Sequence, residues 1–210
     1  MKKIILILLF LNQVCFAQDT LKMKQLYSEA AAFEDKGDLV NAIKTQVRLF
    51  NLDTLNYVSA NVIAGLYGKM ERFDEEVRWG KKSIQINPRF SDGYINLGNG
   101  FFGLGNIGTA EKCFLHCKNL DSTNHFAYYS LGLIEETKKN LTAAILYYEK
   151  SVTVNPKFTD GYFNLAAAYA NAKQLKKAYQ SISKVLELNP QDQEAKEMQR
   201  QILADLKKAQ

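Results

Sequence analysis

The chain has 210 residues, 47% of them hydrophobic and 23% charged, with a formal net charge of +5. Two of its 27 basic residues are Lys2 and Lys3, so the rest of the chain carries 25 basic against 22 acidic residues, a net +3. This mild, dispersed charge argues against nucleic-acid binding, for which a clustered basic stripe is expected.

Residues 1–17 have the pattern of a secretory signal peptide. Lys2 and Lys3 precede an apolar run over residues 4–11, and Ala17 places a small residue before a polar one. The run is too short to anchor the chain in a bilayer, so we expect no stable membrane span in the mature chain.

Cleavage after Ala17 would leave a short N-terminal lead at residues 18–22. We therefore expect an exported protein of the bacterial periplasm. The alternative is a lipid anchor at Cys15, although Val14 stands where lipoprotein signals usually have a small residue.

A repeat organises the rest of the chain. Residues 155–165 match residues 87–97 at eight of eleven positions, 68 residues apart, and a weaker copy starts at Leu120. Half of that offset is 34 residues, a period typical of stacked supersecondary units. A 34-residue frame divides the chain without insertions into five repeats, at residues 23–56, 57–90, 91–124, 125–158 and 159–192.

Each repeat is predicted to form two helices. In the first half, apolar or small residues recur at i, i+3, i+4 and i+7, which is one face of an α-helix. A small-residue position falls on Ala30, Ala64, Gly98, Gly132 and Ala166. Its counterpart in the second half is Ala42, Ala110, Ala144 and Ala178, and repeat two departs from it with Glu76. Ser91 and Thr159, each followed by Asp, are predicted N-caps. Residues 193–210 are predicted to form a polar-backed capping helix.

This pattern resembles the tetratricopeptide repeat family, and the match covers residues 23–192. The resemblance implies an all-α fold, a right-handed α-solenoid of five helix-turn-helix repeats with a capping helix at residues 193–210. It also implies a non-catalytic protein in which the first helix of each repeat lines a concave groove. A protein or peptide is expected to bind in this groove. We expect no cofactor.

The resemblance also assigns the groove-facing positions. They are Asn61 in repeat two; Asp92, Ile95, Asn96, Asn99 and Phe102 in repeat three; Phe126, Tyr129 and Leu133 in repeat four; and Asp160, Phe163, Asn164 and Asn171 in repeat five. The asparagines offer amide donors and acceptors to an extended backbone, and the apolar side chains offer contact area. The alternative is that part of this set only packs helix on helix.

Some members of the family clamp a C-terminal carboxylate with cationic side chains. Here Asp92 and Asp160 occupy positions that need cations, and Tyr27 stands in place of a lysine. We therefore expect a neutral to slightly acidic groove, suited to a partner segment with apolar and basic side chains.

Trp79, the only tryptophan, stands beside Gly80. It either fills the volume that Gly80 leaves or serves as an exposed anchor for a partner.

Cys113, His116 and Cys117 lie together in repeat three. Buried, unreactive cysteines are the main interpretation, and a strained disulfide or a weak metal site are the alternatives.

With two histidines and no phosphate-binding or nucleophile motif, an enzyme is not expected. The leading hypothesis is an exported interaction module, and the alternatives are a self-associating envelope scaffold, as a homo-oligomer, or a thiol redox or metal protein.

Overall fold

The computed structural model describes residues 20–208, which form eleven α-helices and, over that range, no strand. The first, α1, covers residues 20–35. The others are α2 Leu39–Leu52, α3 Tyr57–Lys69, α4 Phe73–Ile86, α5 Ser91–Gly103, α6 Ile107–Leu120, α7 His125–Thr137, α8 Leu141–Val154, α9 Thr159–Asn171, α10 Leu175–Leu188 and α11 Gln193–Lys208. The predicted all-α helical repeat fold is confirmed, and its handedness stays a prediction. The predicted signal peptide at residues 1–17 lies outside the described residues.

Helix starts follow the 34-residue frame. From α3 onward the odd-numbered helices begin at Tyr57, Ser91, His125, Thr159 and Gln193, and the even-numbered helices begin at Leu39, Phe73, Ile107, Leu141 and Leu175. The capping helix α11 therefore begins one full period after α9, in the place of a further first helix.

Short polar side chains set several of these starts. Asp38, Asn56 and Asn140 each accept a hydrogen bond from the backbone N–H three residues on, at 3.1, 2.9 and 3.4 Å. Such caps satisfy backbone donors that have no partner within the helix. The predicted caps Ser91 and Thr159 are wrong: they are the first helical residues, and the N-caps are Phe90 and Phe158, which make no side-chain cap bond.

The described chain divides into two compact bodies, residues 20–106 and 107–208. In the N-terminal body, α4 packs between α3 and α5. A Cβ at Gly80 would lie 3.0 Å from the Cα of Leu97, so the backbone of α5 occupies that space. The prediction that Trp79 fills the volume left by Gly80 is therefore wrong. Trp79 instead packs edge-to-face on Phe50 of α2, at a centroid distance of 5.3 Å.

In the C-terminal body the core continues from α8 into α11. Tyr148 is fully buried, and Gly132 on the facing helix α7 leaves room for its ring. Ala195 and Ile202 of α11 are buried in the same cluster as Ala178, Ile182 and Val185 of α10, as a capping helix requires. Across residues 20–208, no helix is both long enough and apolar enough to cross a membrane.

Candidate functional site

The first helices of the N-terminal body are linked by side-chain hydrogen bonds. Asn56, the cap of α3, donates through Nδ2 to the hydroxyl of Tyr27 on α1, at 2.8 Å. Asn96 on α5 donates through Nδ2 to the carbonyl oxygen and to Oδ1 of Asn61 on α3, at 3.0 and 2.9 Å. Helices α1, α3 and α5 are thus joined through four side chains, which we call the N-terminal wall: Tyr27, Asn56, Asn61 and Asn96.

The C-terminal body repeats this arrangement. Asn164 on α9 donates through Nδ2 to the hydroxyl of Tyr129 on α7, at 2.9 Å. In both bodies the donor follows the acceptor by 35 residues, one repeat plus one position. We call the side chains around this bond the C-terminal wall; they come from α7, from α9 and the turn before it, and from the start of α11, and are Phe126, Tyr129, Phe158, Asp160, Phe163, Asn164, Asp192 and Glu194.

These bonds change the expected role of two asparagines. Asn96 and Asn164 were predicted to offer amide donors to a partner backbone, but their Nδ2 atoms already bond to the preceding first helix. Asn96 uses both hydrogens of its Nδ2 group in these bonds, whereas Asn164 uses one of its two for Tyr129, and each amide also has Oδ1 as an acceptor.

The other predicted positions differ in exposure. Asp92, Asn99, Phe126, Asp160 and Asn171 are exposed. Asn61, Phe102, Tyr129, Leu133 and Phe163 are partly buried. Ile95 is only 8% exposed, so the prediction that it offers contact area to a partner is wrong: its apolar side chain is taken up in packing.

A pocket of about 210 Å³ opens in the C-terminal wall. It is lined by Tyr129, Thr159, Asp160, Phe163, Asn164, Val185, Asp192 and Glu194. Burial raises the pKa of the Tyr129 hydroxyl, and the nearby Asp160 carboxylate adds to this rise. The hydroxyl therefore stays protonated at neutral pH. Asp192 uses one carboxylate oxygen to accept from the N–H of Ala195, at 2.9 Å.

Aromatic rings surround Phe158, at the turn before α9. The ring of Phe158 makes edge contacts with His125, Phe126 and Tyr129, at centroid distances of 4.8, 5.5 and 5.1 Å. Phe126 is 46% exposed, so this cluster carries apolar surface that solvent can reach. Its contacts hold the two wall aromatics, Phe126 and Tyr129, in place beside the pocket.

The buried Tyr148 of α8 contacts two residues of α7. Tyr148 of α8 donates to Oε2 of Glu136 on α7, at 2.7 Å, and its ring lies 5.9 Å from that of Tyr129. Burial raises the pKa of Tyr148, and the hydrogen bond to Glu136 acts in the same direction. This contact fixes one side of α7 against α8.

Trp79 is less accessible than an anchor would need to be. It is partly buried against Phe50, and its Nε1 atom is buried. To serve a partner, the ring would have to leave that packing.

The two cysteines of repeat three are buried thiols. Burial raises the pKa of Cys113 to about 11, which keeps its thiol protonated and unreactive. Among residues 20–208, no three His, Cys, Asp or Glu side chains come together as metal ligands.

Sequence reasoning missed three residues of the C-terminal wall. Phe158 and Asp192 fall in predicted repeats four and five and Glu194 in the predicted capping helix, and none of the three is among the predicted groove positions. The 34-residue repeat frame identifies Glu194 as a wall position, because it occupies the repeat position of Asp92, Phe126 and Asp160.

Comparisons with known proteins agree with this architecture. Residues 137–202 match the tetratricopeptide repeat family model. A UDP-N-acetylglucosamine–peptide N-acetylglucosaminyltransferase of Giardia intestinalis is 32% identical over 86 residues, which is 41% of this chain and 6% of that protein. Heat shock protein STI1 of Saccharomyces cerevisiae is 28% identical over 110 residues, 52% of this chain and 18% of that protein. The matched stretches thus span less than a fifth of these relatives.

A solved structure extends the likeness in fold. A thermophilic tetratricopeptide repeat protein of Thermus thermophilus, TTC0263, superposes with a TM-score of 0.76 at 15% identity, covering 87% of this chain and 99% of that one. The family match covers residues 137–202, and the shared fold and the 34-residue spacing of the helices show the same helical-repeat architecture over the described residues 20–208.

Proposed function

We propose that the chain is a non-catalytic interaction module that binds an extended protein or peptide segment on its first helices. The observation that carries this proposal is the pocket of the C-terminal wall, where α7, α9 and α11 present aromatic, amide and carboxylate groups together. Tetratricopeptide repeat proteins bind proteins or peptides, and architecture alone does not name the partner.

The wall chemistry indicates the kind of segment. Phe126, Tyr129 and Phe163 offer aromatic area, which favours apolar side chains. Asp160 and Glu194 are exposed carboxylates at the same place, which favour a Lys or Arg. The Oδ1 atom of Asn164 is an acceptor for a backbone N–H. A short segment that alternates apolar and basic residues satisfies all three.

The test begins with selection from a random peptide display library on the purified chain from residue 18. Affinities of the selected peptides are then measured by calorimetry against wall variants and matched controls. Phe126→Ala removes an exposed aromatic side chain from α7, and Leu146→Ala removes a 61% exposed apolar side chain from α8. Asp160→Asn neutralises a wall carboxylate, and Asp205→Asn neutralises an exposed carboxylate on α11.

Phe126→Ala and Asp160→Asn are expected to weaken binding by about tenfold or more each, a loss of about 1.4 kcal/mol. The two controls are expected to leave affinity unchanged. Equal losses in the control variants, or no loss in the wall variants, would contradict the proposal. Light scattering of the same samples separates peptide binding from the alternative of a self-associating scaffold, which predicts a mass that rises with concentration.

We also propose that the chain is exported, on the basis of the basic, apolar and small-residue pattern of residues 1–17. Expression of the full chain in a bacterium and mass spectrometry of the purified product test this. A mature N-terminus at Gln18 in the periplasmic fraction is the expected result. A product that retains Met1, or one that begins at an acylated Cys15, would contradict simple export.

A further inference from the structure

Glu76 of α4 stands at a repeat position that is otherwise small and buried. The equivalent residues of the other repeats are Ala42, Ala110, Ala144 and Ala178, all with no exposed surface. Glu76 is itself only 3% exposed. A carboxyl group is therefore held where four other repeats hold a methyl group.

Two glycines make the space for this carboxyl. A Cβ at Gly68 of α3 would lie 2.6 Å from Oε1 of Glu76, and a Cβ at Gly100 of α5 would lie 3.2 Å from its Cγ. Any other side chain at Gly68 would displace the carboxyl. Glu76 thus lies between α3 and α5, at the centre of the packing of the N-terminal body.

The helices around Glu76 provide little charge to offset it. The only charged residue of α3 is Lys69, which is exposed, and the only charged residue of α5 is Asp92, eight residues before Gly100. At 1.5 Å per residue, Asp92 lies about 12 Å along the helix from the carboxyl. The charged residues of α2 are Lys44 and Arg48, both exposed, and Arg48 pairs with Glu29.

The neighbours of Glu76 on α4 also do not compensate its charge. Glu75 pairs with Arg72, and Asp74 is exposed. The remaining charged residues of α4 are Arg78, Lys81 and Lys82, of which Arg78 lies over the Trp79 ring, Lys81 over Phe101 and Lys82 over Phe50. Burial alone therefore governs the group, and it raises the pKa of Glu76 to about 7.

We propose that Glu76 is a pH-sensitive switch of the stability of the N-terminal body: the neutral carboxyl packs between α3 and α5, and the ionised carboxylate weakens that packing. The inference concerns the stability of this body and does not depend on the proposed function. It has a consequence for that function, because α3 and α5 carry Asn61 and Asn96 of the N-terminal wall.

The direction of the pH effect follows from proton linkage. The folded chain holds the Glu76 proton up to about pH 7, whereas the unfolded chain releases it near the ordinary pKa of 4.5. Stability from this group is therefore fully present below about pH 4.5 and is lost as the pH rises towards 7. Within that window the unfolding constant rises by up to about tenfold per pH unit.

The chain contains its own reporter for the experiment. Trp79, the only tryptophan, lies one turn after Glu76 on α4 and packs on Phe50. The two histidines, His116 and His125, are present in the wild type and in each variant below, so a difference in pH dependence between these proteins reports Glu76. Urea unfolding of the chain from residue 18, followed by Trp79 fluorescence from pH 5 to pH 8, measures the stability of the N-terminal body as a function of pH.

The wild-type midpoint is expected to fall as the pH rises from 5 to about 7 and then to level off. Glu76→Gln and Glu76→Ala are expected to remove this fall and to be more stable than the wild type at pH 8. Glu75→Gln, which loses only the exposed pair with Arg72, is expected to keep the full pH dependence. A wild-type midpoint that does not change over this range, or an equal fall in both Glu76 variants, would overturn the proposal.

Discussion

The Nδ2 atom of Asn164 lies 2.9 Å from the hydroxyl oxygen of Tyr129, one helix away on the same wall. The bond joins α9 to α7 directly, and its counterpart joins Asn96 to Asn61 in the N-terminal body. It is a link between repeats rather than within one, so it contributes to the stacking that a repeat array depends on.

This bond is expected to appear as a coupling energy. In a double-mutant cycle of Asn164→Ala and Tyr129→Phe, we expect the sum of the two single losses of stability to exceed the loss in the double variant by about 0.5–1.5 kcal/mol, the usual net contribution of a hydrogen bond. Urea unfolding followed by circular dichroism measures each variant. Strict additivity would show that the bond is absent in solution.

Gly132 is expected to be intolerant of a methyl group. A Cβ there would fall on the buried ring of Tyr148, which has no room to move aside. We expect Gly132→Ala to lower the free energy of unfolding by about 1–3 kcal/mol, as overpacking in a core usually does. Gly108→Ala is the control, because nothing lies within 4 Å of its Cβ position on α6.

In that control, alanine is expected to be neutral or stabilising by up to about 1 kcal/mol, since it favours the helix. A harmless Gly132→Ala would mean that α7 and α8 are farther apart than described.

Asn56 is expected to act both as a helix cap and as a link to α1. Its Oδ1 accepts from the N–H of Ser59, and its Nδ2 donates to Tyr27. Asn56→Ala should cost about 1 kcal/mol or more of stability, and Tyr27→Phe should remove the link but keep the cap, for a smaller loss. Asn51→Ala, at an exposed position of α2, is the control and should be close to neutral. Equal losses for Asn56→Ala and Asn51→Ala would contradict the capping role.

The cysteines of α6 are expected to be protected thiols. Cys113 and Cys117 are buried, and the pKa of Cys113 is raised to about 11. A maleimide reagent at about pH 7.5 should therefore label them slowly in the folded chain and fully in about 6 M guanidinium. Rapid labelling of the folded chain, or the absence of labelling in denaturant without a reductant, would point instead to an exposed thiol or a disulfide.

The 34-residue period predicted helix positions well because packing depends on it. A small residue is needed wherever two helices approach closely, and Ala64 and Ala166 meet that need at equivalent places, fully buried. Such positions recur in the sequence whether or not the neighbouring helices are known.

The direction of individual side chains was harder to predict. Ile95 and Tyr129 occupy the same position in successive repeats, yet Ile95 is buried and Tyr129 lines a pocket. The amides of Asn96 and Asn164 turned towards neighbouring helices because those helices offered an acceptor at the right distance. The burial of Glu76 depends on Gly68 and Gly100, two residues that only the folded chain brings to it. These features depend on pairs of residues far apart in sequence, which a repeat frame does not specify.

The proposed function requires a partner segment to lie on the C-terminal wall. Hydroxyl-radical footprinting with a selected peptide locates that segment, because the method reports the solvent exposure of individual side chains. We expect the peptide to lower oxidation of Phe126, Tyr129 and Phe163 and to leave Leu146 and Tyr179, on α8 and α10, unchanged. Protection confined to Leu146 and Tyr179, with the three wall aromatics still fully oxidised, would show that the segment binds elsewhere.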